Sequence, residues 1–118
     1  VLDEKDLEFV EALRSLDVPR NVAMLITFLA RVSEANSREI ETATRLRQPE
    51  ISRAMQILRE NGWLTEHYIK GNGKGRPLKI YALRATIDEI INYYEAEKSR
   101  ELDRTSEAIQ KLKELNAA

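Results

Sequence analysis

Residues 37–62, SREIETATRLRQPEISRAMQILRENG, carry two apolar stripes of helical period separated by a few polar residues and a proline. Ile40, Ala43 and Leu46 mark the first stripe, and Ile51, Ala54, Met55 and Leu58 the second, so each segment has one face to bury. Asn36 or Ser37 can cap the first helix, since a side-chain oxygen there is followed by Glu39. That helix is expected to end near Thr44. Pro49 suits the first turn of the second helix, and Asn61 with Gly62 supplies its stop. Two helices joined so closely must cross rather than run on, and their buried faces need a common core.

The rest of the chain supplies that core. Residues 3–16 place Leu7, Val10, Leu13 and Leu16 on one face, with acids on the other. Asp17 and Pro19 interrupt, and residues 19–33 repeat Val22, Leu25, Ile26, Leu29 and Val32 as a second, buried helix. After the crossed pair, LTEHYIK and PLKIYAL are rich in strand formers, and Gly71, Asn72, Gly73, Lys74 and Gly75 lie between them. This predicts a two-stranded hairpin. A glycine-rich phosphate cradle would need a helix immediately after the loop, where this chain has RPLKIYAL.

From Thr86 the chain lacks glycine and proline and reads as a long helix, on the order of 45 Å at 1.5 Å per residue. Ile87, Ile91, Tyr94, Lys98, Glu101, Thr105, Ala108, Leu112 and Leu115 alternate at spacings of 4 and 3, a stripe apolar at both ends and polar in the middle. Such a stripe needs a partner, and a second copy of the chain is the expected one. Leu7, Val10, Ile87, Ile91, Tyr94, Leu102, Ile109 and Leu112 are the residues expected between the copies. The competing arrangement breaks the helix near EKSRELDR and folds it back as a hairpin.

At 118 residues and 42% hydrophobic content the chain has enough material for one core with appendages. The expected division is a supporting helix at 1–17, a central domain at 18–84 and a terminal helix at 85–118. The net charge of −1 hides a contrast: residues 1–36 carry 7 acids and 4 bases, residues 37–84 carry 5 and 10, and residues 85–118 carry 8 and 5. The basic segment coincides with the crossed helices and the hairpin, a distribution that favours a phosphate-bearing partner. With no cysteine and one histidine, His67, the chain offers no disulfide, catalytic triad or metal set. The reading is therefore of a non-enzyme without metal or cofactor. Its longest apolar run is well short of the roughly 20 residues that cross a bilayer, and no signal-peptide pattern opens it, so a cytoplasmic protein without membrane association is expected.

The second crossed helix turns Gln48, Glu50, Ser52, Arg53, Gln56 and Arg59 away from its apolar stripe, the layout of a helix-turn-helix. Residues 37–66 resemble the helix-turn-helix of prokaryotic winged-helix transcription regulators, particularly the ArsR-like group, through Leu46, Gln48, Ile51, Ser52, Arg53, Leu58, Arg59, Glu60 and Gly62. GRPLKIYAL is also similar to the wing of PadR-type proteins, and the long terminal helix to short TrmB-like proteins. The resemblance implies a mainly α (α+β) winged helix-turn-helix fold and a homodimer on double-stranded DNA. A helix at about 48–60 would lie in the major groove, and a wing at 70–77 on the backbone or in the minor groove. Gln48, Ser52, Arg53 and Gln56 would then face bases, and Arg38, Arg47, Arg59, Lys70, Lys74 and Arg76 phosphates. The competing function is a winged-helix module that binds protein without touching DNA. One departure stands out: where these families often carry glycine between the crossed helices, this chain has Arg45.

Overall fold

Asp3 starts the first helix, α1 (Glu4–Ser15), by a reciprocal pair: the Asp3 carboxylate accepts from the Asp6 N–H at 2.8 Å while the Asp6 carboxylate accepts from the Asp3 N–H at 3.0 Å. The helix stops where Asp17 turns left-handed at φ 68°, with the Asp17 N–H bonded to the Arg14 carbonyl and the Val18 N–H to that of Leu13. Aspartate is among the few side chains that accept this conformation readily. Pro19 then opens α2 (Arg20–Arg31), the centre of the core: Ala23, Leu25 and Ile26 are wholly buried, and α1, α3, α4 and β3 all pack on this helix. Its one buried hydroxyl, Thr27, donates to the Ala23 carbonyl at 2.7 Å, so no polar group is left stranded.

The structure, a computed structural model, describes residues 1–70 and 75–118, and the chain divides into two units, Val1–Thr86 and Ile87–Ala118. α1 belongs to the first unit. Its Val10 and Leu13 are each 3% exposed, so Val10, expected between copies, is committed to the chain's own core, while Leu7 is exposed.

Asn36 caps α3 (Ser37–Thr44) through the expected box: Asn36 Oδ1 accepts from the Glu39 N–H and Glu39 Oε1 from the Asn36 N–H, both at 2.9 Å. α4 (Gln48–Glu60) buries Ile51, Ala54, Met55 and Leu58. It ends at Gly62, φ 73°, whose N–H reaches the Arg59 carbonyl, while the Trp63 N–H reaches that of Leu58. This is the six-to-one and five-to-two closure that glycine allows without a Cβ penalty.

The sheet has three antiparallel strands, the two of the expected hairpin and a short third. β1 (Ala35–Asn36) pairs with β3 (Leu78–Leu83), which pairs in turn with β2 (Leu64–Ile69), giving the order β1-β3-β2. The hairpin register runs from Leu64 opposite Leu83 to Ile69 opposite Leu78. Two residues are too few to show the alternation that marks a strand, which is why β1 passes as the approach to a helix cap in the sequence. The first unit is a winged helix-turn-helix: α2, α3 and α4 around a common core, followed by the hairpin.

The second unit is a single helix, α5 (Ile87–Ala117), with Asp88 and Glu89 in its first turn where acids favour the dipole. It is continuous through EKSRELDR, so the broken-hairpin arrangement is not adopted. Every residue from 101 to 118 is exposed, including Leu102, Ile109, Leu112 and Leu115.

Candidate nucleic-acid interface

Arg45 adopts φ 60°, ψ 20°, the left-handed turn that glycine would make at lower cost. The preceding residue offsets part of that cost. Buried Thr44 donates its hydroxyl to the Ile40 carbonyl at 2.7 Å and accepts from the Leu46 N–H at 3.3 Å, while the Arg45 N–H closes on the Glu41 carbonyl at 2.7 Å. The turn thus has the N–H groups of Arg45 and Leu46 engaged, and it delivers Leu46 to the core with Arg45 and Arg47 exposed on either side.

Arg47 is the N-cap of α4, and its N–H donates to Glu50 Oε1 at 2.9 Å. Glu50, whose negative charge would oppose a polyanion on this face, is thereby folded back onto the helix terminus. Gln48, Ser52, Arg53 and Gln56 are all exposed on the side of α4 opposite its buried residues. Gln48 Nε2 donates to Glu41 of α3, and Gln56 Nε2 to Glu60 at 3.1 Å, so both amides sit in side-chain contacts that a base edge would have to replace. Ser52 and Arg53 carry no such bond among the described residues, and Arg38 likewise has no ion pair there.

Arg59 stands differently. Its Nε donates to Glu66 Oε2 at 2.8 Å and its Nη2 to Glu66 Oε1 at 2.7 Å, a two-pronged pair between the last turn of α4 and β2. Its Nη1 also donates to Gln56 Oε1 at 2.9 Å. Lys79 on β3 reaches Glu66 Oε1 at 3.1 Å, and its ammonium lies 5.7 Å from the centre of the Tyr68 ring and 5.5 Å from that of Tyr81. Hydrogen bonds from Arg59, and then Lys79, hold the Glu66 carboxyl down at about 2, and the same bonds raise both cations. The sequence placed Arg59 on a phosphate, whereas here its fork is taken by a carboxylate. Glu66 carries no sequence motif that marks this role. Its partners lie 7 and 13 residues away, and only the hairpin register, with Tyr68 opposite Lys79 and Tyr81 opposite Glu66, makes Lys79 its diagonal neighbour.

At the outer end of the hairpin, Lys70 and Arg76 are exposed. Lys74 and most of the glycine-rich loop lie outside the described residues. His67 is exposed on β2 with Nε2 4.0 Å from Glu34 Oε2. Among the described residues no three His, Cys, Asp or Glu side chains gather where a metal ion could be held, and no helix is long and apolar enough to cross a membrane.

No family model and no curated protein matches the sequence. Among solved structures, a possible transcriptional regulator from Methanosarcina mazei Go1 superposes with a TM-score of 0.63 at 15% identity, covering 89% of this chain and 87% of its own. The circadian clock associated protein Pex from Anabaena gives 0.49 at 19% identity over 72% of this chain and 80% of its own. A transcriptional regulator from Clostridium thermocellum gives 0.46 at 19% over 94% and 97%. At these identities the likeness is one of fold, and it rests on the first superposition.

Proposed function

We propose that the chain is a sequence-specific double-stranded DNA-binding transcription regulator that works as a homodimer, with α4 in the major groove and the hairpin tip on the backbone or in the minor groove. The observation that carries this is the two-sidedness of α4. Ile51, Ala54, Met55 and Leu58 are buried, and Gln48, Ser52, Arg53 and Gln56 are displayed together just after a turn flanked by Arg45 and Arg47. In this reading those four exposed residues face base edges. Arg38, Arg47, Lys70 and Arg76 neutralise phosphates with Lys74, while Arg59 braces the hairpin through Glu66. The solved structure of similar fold named as a possible transcriptional regulator supports the same class, and the protein is taken as a cytoplasmic non-enzyme.

The test is a salt-titrated binding series on random duplex DNA, followed by selection of genomic fragments retained by the protein. Measurable affinity that falls steeply with salt, with enrichment of a two-fold symmetric motif, is the expected result. Absence of binding at low salt would overturn it and leave the winged-helix module that binds protein.

A further inference from the structure

The last 18 residues of α5 are all exposed, yet they carry Leu102, Ile109, Leu112 and Leu115, and Ile91 upstream is also exposed. A solvated helix gains little from such side chains, because helices in proteins owe most of their stability to a packed apolar face. The middle of the stripe, Lys98 and Glu101, decides how a second copy can supply that face. In a parallel pair in register, Lys98 would meet Lys98 and Glu101 would meet Glu101 across the seam, two like-charge contacts where desolvation makes them costly.

We propose that α5 pairs with α5 of a second copy in antiparallel fashion, about a two-fold axis passing between Ser99 and Arg100. Each residue then faces the one equally far on the other side of that midpoint. Lys98 meets the partner's Glu101, and Glu101 the partner's Lys98, so the polar centre becomes two opposite-charge contacts. Tyr94 meets the partner's Thr105, Ile91 the partner's Ala108, and Ile87 the partner's Leu112, so one mixed layer and then two apolar layers flank the polar centre on each side. Glu97 and Arg104, flanking the seam, also fall beside each other's copies. Lys98 and Glu101 lie 3.1 Å apart within one helix, so both charges already occupy the same face. The pairing rests on the homodimer reading above and adds its direction and register.

Because the chain contains no cysteine, introduced thiols report the direction cleanly. Full-length I91C and A108C proteins, mixed and mildly oxidised, are expected to form a disulfide-linked dimer, while each alone stays unlinked. Cross-linking of I91C with itself, or a dimer that links in neither test, would overturn the register while leaving the homodimer standing. A monomer by sedimentation at all concentrations would overturn the homodimer as well. Charge exchange gives a second reading: K98E or E101K alone should weaken dimerisation roughly tenfold, and K98E with E101K should restore it. Singles as tight as the parent would refute the facing charges.

Discussion

Arg45 holds a left-handed backbone at φ 60° in a turn whose geometry does not need its side chain. Replacing it by glycine removes the contact between Cβ and the backbone, and R45G is expected to stabilise the protein by about 0.5–1 kcal/mol, whereas R45A, which keeps Cβ, should not. Urea unfolding of the three proteins checks this. A second prediction belongs to Glu66, whose carboxyl is held at about 2 against an ordinary 4.5. A depressed carboxyl stabilises the fold fully above its unfolded value, and that contribution is lost as pH falls through the folded one. E66Q should therefore be less stable than the parent by on the order of 1 kcal/mol at neutral pH, a figure discounted for the solvent still reaching the pair. The gap should close between pH 4.5 and about 2. Thermal unfolding of both proteins across that range measures it. The sequence offers Glu66 as one acid among many, and nothing in its spacing from Arg59 and Lys79 declares which faces they share. Conversely, the sequence narrows the cap of α3 to Asn36 or Ser37 with Glu39, because it is a contact between residues close in the chain, and the structure selects Asn36.

At the scale of elements, the sequence marked the helices where an apolar period was long enough to repeat. α3 ends at Thr44 and α4 buries the four residues its stripe names. It did not mark β1, which is defined by pairing with β3 and not by any pattern of its own. Nor did the stripe of α1 declare its partner: Val10 is apolar either way, and packing on α2 decided its place. The exposed face of α4 and the hairpin make separable predictions. R53A is expected to weaken a selected site by about 1–3 kcal/mol and spare random DNA, measured by competition binding. Replacing Lys70 and Arg76 together should instead weaken all sequences and lower the slope of log affinity against log salt by about 2, one phosphate for each charge. R59A is expected to act mainly on stability, since its guanidinium braces β2.

At the scale of the whole molecule, the basic middle of a chain with net charge −1 is legible as a pattern, but the direction of the proposed pairing is not, because a single sequence does not show a symmetry axis. α5 runs through 31 residues without glycine or proline, and such a rod has little means of bending. In the proposed antiparallel pair, the first residue of α5 lies beside the partner's Leu112, which sets the two helix starts about 37 Å apart along the paired helices. Seven residues inserted between Ser99 and Arg100 would keep the stripe in phase and move those points to about 48 Å. The dimer is expected to survive by sedimentation while affinity for the selected two-part site drops to that of one half. The length of α5 would then fix the distance between the two points at which the first units are attached.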